Sequence, residues 1–247
     1  MTADTKNNKP DTGVVDVCPI GVIRSCYTEK FGIPRQPGMA DKARARIELL
    51  APYDREEMVK ELDVFSHIWV QFLFHDAIKE GWKPTVRPPG LGGRKRVGVF
   101  ASRSPHRPNH IGLSAVRLFE IDRKSGLSLL VGGGDFLDGT PVLDIKPYIP
   151  YSDSLDGAGP GYSGENRAPV HVCFLKEAER FCYQYEQETG RELSGLISQV
   201  LRQDPRPASQ RGRKRSFGFR LWDINIRWEV RNNVFTVVEC RRVQELL

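Results

Sequence analysis

Between residues 18 and 150 the apolar residues come in seven short runs, and this constrains the fold more than any other feature of the 247-residue chain. The runs are 20–24, 45–50, 67–74, 97–101, 111–121, 127–131 and 142–148, each bounded by Gly, Pro or Asp clusters that terminate strands. One helix is expected among them. Asp54 followed by Glu57 has the spacing of a capping box, and Met58, Val59 and Leu62 form an apolar face at helical spacing. Strands without regularly alternating helices predict a mainly β fold, a small single-sheet β-barrel, rather than a doubly wound parallel sheet.

The pattern changes after residue 150. Ser, Asp, Gly and Pro dominate 153–167, the composition of a linker. Beyond it a strand is expected at 170–174, and a helix at 176–189 with Ala178, Phe181, Cys182 and Tyr185 on one face. Leu193, Leu196, Ile197, Val200 and Leu201 repeat that spacing until Asp204-Pro205-Arg206-Pro207 stops it, because the residue before a proline is pushed out of the α region. Ile224, Ile226, Trp228 and Val230 then alternate with polar residues, and Asn232-Asn233 turns the chain into a run at 234–240, a hairpin. The expected organisation is a mobile tail over 1–15, a barrel over 16–152, a linker over 153–167 and a smaller α+β unit over 168–247.

Composition excludes several classes. With 39% hydrophobic and 28% charged residues the chain is globular, and no apolar run is long enough to cross a bilayer. The polar first fifteen residues lack the apolar core of a secretory signal, so the expected location is the cytoplasm. Five cysteines, none in a CxxC pair, read as buried thiols and not as a disulfide or zinc framework. The net charge of +6 is concentrated: 86–110 and 205–220 each carry six Lys and Arg and no acid. After residue 160 there are 15 basic against 11 acidic residues, which is +4 of the +6. A polyanionic partner follows from such clustering.

Four loop motifs concentrate chemistry. Gly32-Ile33-Pro34-Arg35-Gln36-Pro37-Gly38 holds a cation and an amide in a stiff turn. His67 and His75-Asp76 mark the two ends of a strand, the imidazoles about 26 Å apart and unable to share a metal. The segment 102–114 carries Arg103, His106, Arg107, Asn109 and His110 between prolines; Pro108 forbids the helix on which His106 and His110 could chelate a metal. In 135–148, Asp138 can accept hydrogen bonds from hydroxyls or amines, and Gly139 lets a ligand approach the backbone. Neither a dinucleotide or phosphate-binding glycine loop nor a nucleophile elbow is present.

Taken together, 34–38, the His-x-Trp-x-x-Phe-x-Phe-His pattern of 67–75, 103–114 and 138–148 resemble the TsaA-like, or TrmO, family of tRNA methyltransferases, and 201–208 with the closing hairpin resemble the extension of its two-domain members. The resemblance implies a non-Rossmann barrel that binds S-adenosyl-L-methionine, a homodimer, and methylation at N6 of threonylcarbamoyl-adenosine 37 of tRNA. Carried over by motif, the cofactor contacts are Pro34, Arg35, Gln36, His75, Asp76, Arg103, Leu113, Asp138, Gly139, Thr140 and Pro141. The acceptor nitrogen, conjugated to a purine and a carbonyl, must lose its proton, and Asp138, His75 and His106 are the candidate bases. Arg107 is a candidate for the threonyl carboxylate. Phosphate contacts are expected from Arg94, Lys95, Arg96, Arg206, Arg213, Lys214 and Arg215. No metal and no membrane are expected. A non-catalytic RNA-binding barrel is the alternative, but it leaves the loops around Gln36 and Asp138 without a role; a barrel hydrolase or isomerase lacks a metal or nucleophile.

Overall fold

The computed structural model describes residues 13–91, 93, 95–124, 126–163, 170–207, 210, 212 and 216–243. Its first half contains β1 (Gly21–Ser25), β2 (Arg44–Leu49), β3 (His67–Leu73), the two-residue strands β4 (Thr85–Val86) and β5 (Val97–Gly98), β6 (Ile111–Asp122), β7 (Ser128–Gly132) and β8 (Thr140–Pro147). Six of them close a barrel in the order β1-β2-β7-β6-β3-β8, every pair antiparallel. Closure comes from β1 against β8, in the register Gly21↔Val142 to Ile23↔Thr140. Alternation decides which side chains enter: β3 buries Ile68, Val70 and Phe72, while β6 buries Val116 and Leu118.

Two expectations fail here. Residues 97–101 supply no barrel strand; β5 pairs only with β4, and Val99–Ala101 is a 3-10 turn in which only Val99 is buried. The helix expected after Asp54 is a 3-10 turn, Glu56–Val59, which starts from Arg55 without a side-chain cap. Met58 is 55% exposed there, and of the expected apolar face only Val59 is buried, with Leu62 packed partly on the barrel core.

The second half begins with the short helix α1 (Pro150–Asp153) and continues with β9 (His171–Phe174), α2 (Lys176–Thr189), α3 (Leu193–Arg202), β10 (Ser216–Leu221), β11 (Ile224–Arg231) and β12 (Val234–Arg242). The sheet order is β10-β11-β12-β9, with β9 parallel to β12. Asn232 and Asn233, at φ 48° and 62°, form the two-residue turn that the sequence predicts. Strand β10 was hidden in the basic stretch: Phe217, Phe219 and Leu221 point into the core, so Arg220 lies on a strand, not in a loop.

Two apolar cores result. One fills the barrel around Ile23, Ile47, Ile68, Val70, Leu129 and Phe136. The other centres on Trp228, stacked between Phe217 and Phe235 at centroid distances of 4.8 and 4.9 Å. Such aromatic pairs add about 0.5–1.5 kcal/mol each beyond their buried area. Cys26, Tyr27, Ala40 and Ala43, between β1 and β2, pack into this second core and not into the barrel. All five cysteines are unbridged; Cys26, Cys182 and Cys240 are buried, whereas Cys18 and Cys173 are exposed.

Gly112 on β6 faces Phe72 on β3, and a Cβ at this position would stand 2.3 Å from Cζ of Phe72. Phe72 cannot retreat, because Phe74 and Phe136 each pack edge-on against it at 5.0 Å. Gly112→Ala is therefore expected to destabilise the chain by about 1–3 kcal/mol in equilibrium denaturation, the range for an overpacked core; an unchanged midpoint would contradict this packing.

Candidate active site

Because a closed barrel has no edge, the segments that leave its strands must build any site. Four of them surround a cleft of about 840 Å³: residues 30–37 after β1, the 3-10 turn His75–Glu80 after β3, the segment 102–107 before β6, and residues 135–137 before β8. Phe72 and Phe74 give it an apolar wall, and the outward residues Ile111 and Leu113 of β6 reach it from the other side.

The proline-stiffened segment is shaped by its own hydroxyls. Ser102 Oγ donates to the Val99 carbonyl and accepts from the Ser104 N–H, and Ser104 Oγ accepts from the His106 N–H. Arg107 Nη1 donates to the carbonyls of Ser102 at 2.8 Å and Val99 at 3.4 Å, so this guanidinium braces the loop it comes from. Arg103 Nη1 donates to Oε1 of Gln36 and ties this segment to the first loop.

Three electrostatic features stand out. Lys30 Nζ bridges Asp76 at 3.0 Å and Glu80 at 2.9 Å, and holds both carboxyls below the usual carboxylate range. His106 has Nδ1 3.3 Å from the Gly81 carbonyl and Nε2 3.6 Å from Oε2 of Glu80, so both its ring nitrogens face acceptors. Asp135 receives the hydroxyl hydrogen bond of buried Ser114 at 2.6 Å; burial pushes its carboxyl up, against the lowering effects of Ser114 and the Arg103 charge. His75 lies with Nδ1 3.5 Å from Oγ1 of buried Thr140.

The cleft lining brings together Pro34, Arg35, Gln36, His75, Asp76, Arg103, His106, Arg107, Leu113 and Thr140. It does not include Asp138, Gly139 or Pro141. Asp138 Oδ1 accepts the Ser25 N–H at 2.8 Å, and the N–H groups of Asp138 and Gly139 donate to Tyr27 and Ile23. That turn is docked on β1, and Oδ1 of Asp138 is part of the joint. Sequence reasoning passed over Asp135, three residues earlier in the same motif, and also Lys30, Glu80, Ser114, Trp69 and Asp153. Trp69 Nε1 donates to Asp153 Oδ2 at 2.9 Å, which also accepts the Ile149 N–H.

The expected phosphate contacts separate. Lys95 and Arg96 are exposed, with Arg96 donating to Oγ1 of Thr85 at 3.0 Å. Arg94, Arg213, Lys214 and Arg215 lie outside the described residues. Arg206 differs from these: its guanidinium pairs bidentately with Asp204 at 2.7 and 3.1 Å, lies 4.8 Å from the Phe235 ring centroid, and is only 11% exposed, so little of it faces solvent. Among the described residues no group of three or more His, Cys, Asp or Glu is placed to hold a metal ion, and no helix is long and apolar enough to cross a membrane.

Comparisons with known proteins agree with this architecture in both halves. A family model described as the tRNA-methyltransferase O N-terminal domain matches residues 22–154, and one described as the TrmO C-terminal domain matches 167–243. Over 222 residues the chain is 45% identical to the tRNA (adenine(37)-N6)-methyltransferase of Escherichia coli K12, covering 88% of this chain and 94% of that one. It is 47% identical over 215 residues to a putative S-adenosylmethionine-dependent methyltransferase, RcsF, of Pseudomonas aeruginosa, covering 86% and 91%. The crystal structure of TrmO from Pseudomonas aeruginosa superposes with a TM-score of 0.79 at 39% identity, covering 93% of this chain and 99% of that chain. Matched in sequence through both halves and in fold over nearly all its length, the chain belongs to the TrmO family.

Proposed function

We propose that the chain is an S-adenosylmethionine-dependent methyltransferase acting on N6 of adenosine 37 of tRNA, with the threonylcarbamoyl form of that adenosine as the acceptor. The observation that carries the cofactor reading is the floor of the cleft: a half-buried carboxylate, Asp135, between apolar walls and two arginine-bearing loops. An adenine suits the walls, a cationic sulfonium or ammonium suits Asp135, and a ligand carboxylate suits Arg35 or Arg103. The residues present therefore fit S-adenosylmethionine, which when bound supplies an electrophilic methyl group.

The chain's own work is to align the acceptor and take its proton. Of the candidate bases, Asp138 is docked on β1, and His106 faces acceptors with both nitrogens, the arrangement of a donor. His75 remains. Thr140 stands beside its Nδ1, which leaves Nε2 to accept the proton. Arg107 keeps one nitrogen in its own loop and lines the cleft, where the rest of the guanidinium can meet the threonyl carboxylate. The division of labour that fits is catalysis by the barrel unit, 16–152, and tRNA contact shared by Lys95 and Arg96 with the unit 168–247. A second copy of the chain is the proposed partner, as the homodimer that the family resemblance implies. The cytoplasm is the proposed location, in keeping with a tRNA substrate.

Incubation with tRNA and labelled S-adenosylmethionine, followed by nucleoside analysis, should yield N6-methylated threonylcarbamoyl-adenosine, and no product from tRNA lacking that modification; transfer to another base would refute the reading. His75→Ala should slow transfer by about 10²-fold or more, while cofactor affinity changes little; an unaltered rate would assign the proton to another group. Asp135→Asn should weaken cofactor binding by about tenfold or more in calorimetry. Because the Asp135 carboxyl titrates above the usual range, the countercharge exists only above that raised value. Affinity should therefore fall as pH is lowered through that raised value in the wild-type chain and not in Asp135→Asn; parallel pH profiles would contradict the assignment.

A further inference from the structure

The segment between β1 and β2 forms one wall of the cleft; Asp76, Glu80, Arg103 and Gly133 tie it to the barrel unit, and a second set of contacts comes from the second unit. Phe31 and Ile33 pack on the second core, as do Ala40 and Ala43. Gly32, at φ +100°, lies with the Phe219 ring 3.3 Å from where a Cβ would stand. Glu29 Oε1 accepts the Arg220 N–H at 3.1 Å. Helix α3 reads the backbone next to the wall with two amides: Gln199 Oε1 accepts the Lys42 N–H at 3.0 Å while its Nε2 donates to Asp41, and Gln203 Nε2 donates to the Met39 carbonyl at 3.3 Å. After the helix, the Asp204 carbonyl meets Arg35 Nη2 at 3.5 Å, and Arg206 clamps the Asp204 carboxylate. From the barrel side, Gly38 N–H donates to the Gly133 carbonyl.

We propose that the second unit is a positioning element of the reaction cleft: Gln199 of α3 and Gln203 at its C-terminal cap, with the Asp204 turn, hold residues 33–42 so that Pro34, Arg35 and Gln36 stand in the cofactor wall. The inference rests on the cofactor reading of the cleft. Its physical basis is that a loop of prolines and glycines has few contacts of its own and gains a single conformation only from what it is pressed against. The apolar face of α3 is consumed by the second core, where Leu196, Ile197, Val200 and Leu201 are buried. Its polar face is thereby aimed at the wall of a site in the other unit. Gln199 and Gln203 are positioning residues; neither lines the cleft.

The test is the full-length double variant Gln199→Met/Gln203→Met, which keeps side-chain length and removes the amides. Amide hydrogen exchange over 38–43 should accelerate in the absence of cofactor. The dissociation constant for S-adenosylmethionine by calorimetry should rise about fivefold to tenfold, part of what the three lost hydrogen bonds to residues 39–42 are worth. The turnover number at saturating cofactor should stay within about twofold, because the reacting groups are untouched. The thermal midpoint serves as the control for global damage, and Gln199→Met alone, measured in the same way, keeps the test open if the double variant does not fold. Equal cofactor affinity in variant and wild type, or unchanged exchange over 38–43, would overturn the inference. Failure of the wild-type chain to bind S-adenosylmethionine would overturn the reading of the cleft as well, so the two failures are distinguishable.

Discussion

Closing β1 onto β8 removes both edges of the sheet, and the rest of the molecule follows from that constraint. Backbone groups in the strands are spent on neighbours, and the barrel interior is filled by side chains such as Ile23, Ile68 and Leu129. Recognition must then be assembled from the segments that leave the strands. The closing pair also fixes the floor of the cleft: the turn 137–139 is tied to Ile23, Ser25 and Tyr27, so Oδ1 of Asp138 is part of the joint and Asp135 is left to face inward beside Ser114.

The second constraint is that the cleft wall is not self-supporting. Residues 29–43 are pressed between the barrel mouth and a helical unit whose core they share, which makes the two units one site mechanically although their cores are distinct. The Asp204–Arg206 pair shows how this joint is kept dry and fixed: both groups are largely buried, the cation is stacked on Phe235, and the turn they stabilise holds Asp204 at a positive φ. Removing one partner of such a pair is far more costly than the pair is stabilising, because the other charge is left buried alone.

Much of this was legible in the residues. Period-two alternation gave six barrel strands and the hairpin at Asn232-Asn233 almost to the residue, because those side chains must choose between a core and water. The failures have the same cause seen from the other side. At 97–101 only Val99 finds a core, and at 54–62 only Val59 does within the turn, so the apolar pattern there promised more burial than the fold supplies. Strand β10 was obscured because arginines on its approach suggested a loop, while Phe217, Phe219 and Leu221 carried the decisive period. In the site, sequence identified the loops and most of their residue types but not which carboxylate points where: Asp135 and Asp138 are indistinguishable until the turn is docked on β1. Arg206 could not be told from a solvent-facing cation until Asp204 and Phe235 were placed around it.

The central claim is that the cleft floored by Asp135 and walled by residues 34–36 holds S-adenosylmethionine. A crystal structure of the full chain with S-adenosylhomocysteine tests this most directly. The account expects the ligand between the Pro34–Gln36 segment and the segment 102–107, with its amino or ribose groups within hydrogen-bond distance of Asp135. A ligand seated elsewhere, for example against the groove formed by Gly218, Arg227 and Arg241 on the second sheet, would contradict it.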